Sequence, residues 1–176
     1  MSKVTFRPGG KKDAQTIAQL HIKSWQNSYR GILTDAFLDE AIVADRISFW
    51  TQRLVEEPGE HTYLLIAEQD GKAVGFVCAI IEEHESWGTL IDNLHVLSSA
   101  QGLGLGRELM RKAAGWIKQQ DEGGDMYLWV YKENRQARAF YEKIGGNPVE
   151  ERVEKQPDGF DAPIVRYHWA SPLVVL

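Results

Sequence analysis

From Val96 to Met110 the chain reads VLSSAQGLGLGRELM. Before it, Leu90–Val96 is an apolar, strand-like run that ends in the small polar turn Leu97-Ser98-Ser99. After Gln101-Gly102-Leu103-Gly104-Leu105-Gly106-Arg107 a helical pattern starts at once, with Leu105, Leu109, Ala113, Trp116 and Ile117 forming one stripe. Alternating glycines at a strand-to-helix junction let the backbone approach a ligand closely. The first helical turn offers unpaired N–H groups and a partial positive charge, so the junction reads as an anion or phosphate site.

One phosphate motif fails here and a second fits poorly. A Walker loop needs Gly-Lys-Ser/Thr, and here Arg107-Glu108 follows Gly106. A dinucleotide fingerprint needs GxGxxG after an early strand, whereas Gly102, Gly104 and Gly106 are evenly spaced and follow a run of strands. The pattern that fits is Gln-x-x-Gly-x-Gly, set by Gln101, Gly104 and Gly106.

Working outward, Thr62–Glu68 and Ala73–Ile81 read as strands joined by the hairpin turn Gln69-Asp70-Gly71-Lys72, and Gly88–Val96 as the next strand. Towards the N-terminus lie a short strand, Val4–Arg7, and a helix behind Asp13 with Ile17, Leu20, His21, Ser24, Trp25 and Ser28 at helical spacing. Thr34-Asp35 predicts a short second helix carrying Phe37 and Leu38, and 44–57 a third with Ile47, Trp50 and Leu54 on one face. Towards the C-terminus, Met126–Val130 is a strand and Glu133–Ile144 a helix ended by Gly145-Gly146. Pro148–Val153 and Ala162–Trp169 are strands around the turn Gln156–Gly159. The order β-α-α-α-β-β-β-α-β-α-β-β predicts a mixed α/β fold, one domain over residues 1–176.

Composition narrows the class. With 176 residues, 43% hydrophobic and 26% charged, the chain has an ordinary globular make-up. A net charge of -5 argues against a dedicated nucleic-acid partner. No stretch has the length of a signal or membrane segment, and the one cysteine, Cys78, sits in an apolar run, which predicts a buried thiol and a cytoplasmic setting.

The segment LIDNLHVLSSAQGLGLGRELM resembles the acetyl-CoA-binding motif of the GNAT acetyltransferase superfamily. A second block, Leu128-Trp129-Val130 followed by Asn134, Ala137, Phe140-Tyr141 and Gly145, resembles the strand and helix that follow it there. The likeness runs from about Val4 to Trp169. It implies a mixed, mostly antiparallel sheet of six to seven strands flanked by helices. It also implies an acetyl-CoA-dependent N-acetyltransferase in which a primary amine of a small molecule or peptide attacks the thioester directly, with no acyl-cysteine and no metal. A non-catalytic acyl-CoA sensor or scaffold is the alternative. Membrane and nucleic-acid partners are not implied, and a homodimer is left open.

Carried over by position, Leu94, His95 and Val96 end the strand that pairs with the pantetheine arm. Gln101 and the N–H groups of Gly102, Leu103, Gly104, Leu105, Gly106 and Arg107 hold the diphosphate. The Arg107 side chain either adds a charge-assisted contact or is a solvated helix residue. Asn134 is either a cofactor contact or a helix N-cap. Tyr141 is either the acid that protonates the departing sulfur or a core aromatic beside Phe140. The base is less determined. Asp92 is the first candidate and His95 a second; strict alternation places Asp92, Leu94 and Val96 on one strand face and Asn93 and His95 on the other. For the acceptor, Trp25, Tyr29 and Leu33 face the turn at 156–160, as core or as cleft lining. The acids Glu82, Glu83, Glu85 and Asp92 favour a cationic amine.

Overall fold

The computed structural model describes residues 3–120 and 124–175; the side chains of Glu82, Glu83, Leu173 and Val174 lie outside the described set. Strand β1 (Val4–Pro8) is followed by helix α1 (Ala14–Ser28) and then by α2 (Ile42–Thr51). The meander β2 (Thr62–Gln69), β3 (Lys72–His84) and β4 (Gly88–Val96) leads through the glycine loop into α3 (Leu105–Gln120). Then come β5 (Met126–Tyr131), α4 (Arg135–Lys143), β6 (Asn147–Lys155) and β7 (Asp161–Trp169). The seven strands form one sheet in the order β1-β2-β3-β4-β5-β7-β6. Every neighbouring pair is antiparallel except β4 and β5.

The expected second and third helices are one continuous helical stretch. Helix α2 is extended at both ends by π-helical turns, Phe37–Ala41 and Gln52–Glu56. No breaker residue separates the two sequence patterns. The wide turns shift the helical phase, which is why the apolar spacing looks like two helices. Within the first of them the Leu38 carbonyl accepts from the Gln26 side-chain amide at 2.9 Å.

Local chemistry explains the other joints. Asp70 (φ 52°) and Gly71 (φ 77°) form the mirror-image turn that a tight β2–β3 hairpin requires. Helix α4 ends in a Schellman motif, with Gly146 N–H on the Tyr141 carbonyl at 2.9 Å and Gly145 N–H on that of Glu142 at 3.1 Å.

The sheet buries both faces. Helices α3 and α4 cover one, packing Leu109, Met110, Ala113 and Tyr141 on Val77, Ala79, Ile91, Leu128 and Tyr167. Helices α1 and α2 cover the other, where Ile17, Leu20 and Trp50 meet Leu64, Ile66, Phe76 and Cys78. Trp25, Leu33, Phe37 and Ile42 extend that layer to Tyr131 and Ile164. Among the described residues no helix is long and apolar enough to cross a membrane.

Candidate active site

The parallel pair β4–β5 is where the sheet opens. The strands match only at Thr89 with Met126 and Leu90 with Tyr127, then diverge. Strand β5 stays paired to β7 along its whole length, and β4 stays paired to β3, so the split leaves one edge of each strand without a sheet partner. A cleft of about 510 Å³ fills the gap, lined by Ile91–Val96 of β4, Leu128–Val130 of β5, the loop after β4 and the inner faces of α1 and α4. An unpaired strand edge is a template for the amides of an extended ligand.

The loop supplies the other half of that template. Gly102 (φ 81°) and Gly104 (φ 74°) lie in the left-handed region, and a Cβ on either would meet open space. It is the backbone turn, not crowding, that demands glycine at both positions. Glu108 N–H bonds to Gly104 O at 3.0 Å and starts the α3 ladder. Among the described residues, the N–H groups from Gly102 to Arg107 have no backbone acceptor. They therefore present the unpaired donors and the dipole end that suit a diphosphate. Gln101 reaches back to the Val96 carbonyl at 3.5 Å. Arg107 and Lys143 bring positive charge to the cleft wall. Leu103 is 54% exposed and does not line the cleft, so only its main chain faces the task expected of it.

Tyr141 reaches the same cleft from α4 and is buried, with ring contacts to Tyr167 and Trp169. Burial, then Tyr29, raises its pKa, so the phenol holds its proton more tightly than a free tyrosine. Asn134 caps α4, its Oδ1 accepting from Ala137 N–H at 3.2 Å, and lines the cleft as well. The two alternatives read from its sequence context are thus compatible: the cap uses Oδ1, and among the described residues Nδ2 has no partner.

Strand β4 carries a correction. In its pairing with β3, Cys78 matches Asn93 but Ala79 matches Ile91, so Asp92 is an extra, bulged residue. The bulge breaks the alternation that the sequence suggested. Ile91, Leu94 and Val96 pack on the α3 face. Asp92 instead meets Arg53 from the α2 side, and His95 packs on α1. Asp92 and Leu94 therefore lie on opposite faces. Asp92 lines the cleft, but one carboxylate oxygen receives both Arg53 and the Asn93 amide, the latter at 2.6 Å. The side-chain cue was present: Asp92-Asn93 is a polar pair between apolar residues, where strict alternation has one.

His95 lines the cleft and its Nδ1 lies 2.8 Å from Ser24 Oγ. Burial, reinforced by the Arg46 guanidinium, pushes it down to about 3. His21 packs on it at a tilt of 36°, with ring centres 4.5 Å apart, and Trp50 donates its indole N–H to His21 Nδ1 at 3.0 Å.

The expected acceptor residues divide. Tyr29 lines the cleft, packed edge-on against Tyr131 at 4.8 Å, and burial pushes its phenol up to about 12. Trp25 and Leu33 belong to the buried layer under α1 and do not line the cleft. Trp25 falls one turn before Tyr29, but its ring is taken up by Arg46 and Phe37. The turn at 156–160 does close on this end. Asp158 accepts from Thr34 N–H at 2.9 Å and Tyr131 donates to Gln156 at 2.7 Å. Glu85 is exposed on the β3–β4 turn and does not line the cleft; the Glu82 and Glu83 side chains lie outside the described residues, and among the described acids expected there Asp92 lines it. Arg53, Arg46 and Tyr131 went unread in the sequence, since each acts through a partner distant in the chain.

A sheet split at one parallel pair, with a glycine loop at its mouth, is the frame of an acyl-CoA-using acetyltransferase, and the comparisons agree. The model of the Acetyltransferase (GNAT) family matches residues 17–146, and the chain belongs to that family. A probable N-acetyltransferase of Mycobacterium tuberculosis is 27% identical over 144 residues, covering 81% of this chain and 79% of its own. The PaiA N-acetyltransferase of Thermoplasma acidophilum, solved with coenzyme A, superposes with a TM-score of 0.69 at 18% identity, covering 95% of this chain and 99% of that one. YncA of Salmonella typhimurium, described as a putative acetyltransferase with acetyl-CoA, gives 0.67 at 14% identity, covering 96% and 94%.

Proposed function

We propose that this chain transfers an acetyl group from acetyl-CoA directly to a primary amine of a small molecule or peptide. The observation that carries the proposal is the split between β4 and β5, which joins an unpaired strand edge, the free N–H groups of the loop and Tyr141 in one cleft. When bound, acetyl-CoA supplies an activated thioester whose carbonyl carbon is the electrophile. The loop from Gly102 to Arg107 binds its diphosphate, and the β4 edge at Leu94–Val96 orients the pantetheine arm. The Asn134 amide, its Nδ2 not used by the cap, steadies that arm near its reactive end. Unpaired N–H groups of β4 polarise the thioester carbonyl as negative charge builds on it. Tyr141, kept protonated by burial, donates its proton to the leaving sulfur. Cys78 takes no part: it is fully buried, and burial pushes its thiol up to about 12.

Release of free thiol from acetyl-CoA over a panel of primary amines tests this reading. Amine-dependent release is expected. Tight acetyl-CoA binding without release to any amine would favour the sensor reading instead. Cys78 stays silent in a colorimetric thiol assay of the folded protein because it is buried.

A further inference from the structure

Beyond the donor half, the cleft contains a polar pair that the proposed transfer has not used. Ser24 and His95 both line it, one from α1 and one from β4, with Oγ and Nδ1 2.8 Å apart. Among the described residues the other ring nitrogen of His95, Nε2, has no partner, and it is not among the buried polar atoms sealed from solvent. The ring is held on its far side by His21, whose Nδ1 accepts the Trp50 indole N–H. That bond makes His21 Nδ1 the acceptor and places the His21 proton on Nε2, which is buried with no partner among the described residues. The other carboxylate or imidazole of the lining, Asp92, is engaged by Arg53 and Asn93.

Building on the acetyl-transfer reading, we propose that His95 receives an N–H of the acceptor amine at Nε2, with Ser24 as the positioning residue that accepts from Nδ1–H and so fixes the tautomer. A histidine in this setting works without ionising. The groups that bear on it are Ser24 and His21 of α1, Arg46 of α2 and Phe76 of β3; Tyr29 and Asp92 line the same cleft, and Arg53 of the turn after α2 holds Asp92. Burial and Arg46 both oppose a second cation there. The amine accordingly enters as the free base, its lone pair aimed by the hydrogen bond to Nε2. One N–C bond forms and one C–S bond breaks. Tyr141 O–H gives sulfur its proton, and the surplus proton of the nitrogen leaves to solvent, from which Tyr141 is restored.

The test compares kcat/KM against pH for an α-amino acceptor (pKa about 8) and a lysine-type amine (pKa about 10). The rising limb is expected to move with the amine, with no enzyme limb near neutral pH. His95→Ala is expected to lower kcat/KM by roughly 10- to 100-fold while the Kd for acetyl-CoA holds. His95→Gln, which keeps a neutral hydrogen-bonding group, is expected to recover most of that loss, and Ser24→Ala to show a smaller loss in the same direction. A limb near pH 6.5 common to both amines and lost in His95→Gln would overturn the proposal by making His95 an ionising base. Full activity in His95→Ala would overturn it by removing any role. If His95→Ala does not fold, the Gln and Ser24 variants carry the same comparison. No thiol release from the unmodified protein with either amine would instead defeat the acetyl-transfer reading itself.

Discussion

The two halves of the cleft are built from different materials. The donor half is mostly backbone: the unpaired edge of β4, two left-handed glycines and the open N–H groups at the start of α3. The proposed acceptor half is made of side chains: Tyr29 of α1 and His95 of β4 line it, with Tyr131 of β5 packed behind Tyr29 and Asp158 of the β6–β7 turn holding Thr34 beyond. A backbone site tolerates change in every side chain that does not alter the turn. A side-chain site changes its partner when any contributing residue changes. The first kind of site therefore follows from the fold, which structures of 14–18% identity share, and the second from this chain's own side chains.

Tyr141 tests that division most severely, because it is the side chain proposed to serve the donor half. Tyr141→Phe removes the proton donor but keeps the ring that packs on Tyr167 and Trp169. Turnover is expected to fall about 100-fold with acetyl-CoA affinity little changed. Steady-state kinetics beside a binding titration separates the two; an unchanged kcat removes Tyr141 as the acid.

Next in size, Gly104→Val forces a β-branched residue to a φ of 74°. The strain of roughly 1–2 kcal/mol corresponds to a loss of about 5- to 30-fold in coenzyme A affinity. Gly106→Ala is the control. Its Cβ would meet Phe140 at an ordinary 3.5 Å, and affinity is expected to stay within about 3-fold. Equal effects at the two positions would refute the claim that the turn, rather than the glycines as such, forms the site.

On the acceptor side, Asp158→Ala removes the hold on Thr34 N–H. The acceptor KM is expected to rise about 10-fold or more, in line with the loss of about 1.5–3 kcal/mol in a charge-assisted hydrogen bond, while coenzyme A affinity holds. A parallel loss of coenzyme A binding would show that the halves are not separable.

The smallest effect lies away from the cleft. Arg7 bonds Asp13 at 2.8 Å and lowers its pKa. A carboxyl depressed in the folded state contributes stability above its ordinary range, near pH 4, and loses it as pH falls through the lower folded value. Asp13→Asn should thus flatten the acid limb of the stability curve and leave the acetyl-CoA Kd alone. An unchanged acid limb would contradict the ion pair's contribution.

The same contrast explains what the sequence disclosed. Gly102, Gly104 and the Asp70-Gly71 turn are legible because a left-handed φ selects residue type locally. The strands and helix stripes follow from periodicity, and Asn134 and Gly145-Gly146 from cap chemistry. The bulge at Asp92 was missed because alternation assumes an unbroken pleat. The single helical stretch around α2 was split because its π-turns change the period. Trp25 and Tyr29 share a helix face, yet only Tyr29 reaches the cleft, since Arg46 and Phe37 from later in the chain occupy the ring of Trp25. Which polar residues meet across α1, α2 and β4 is a property of packing between segments, and no local pattern encodes it.

The most direct measurement of the central claim is acetyl transfer to an amine panel with the unmodified protein, followed by thiol release and by the mass of the product. Release of coenzyme A in step with one N-acetylated amine is the predicted result. Saturable acetyl-CoA binding with no acetylated product from any amine would contradict it.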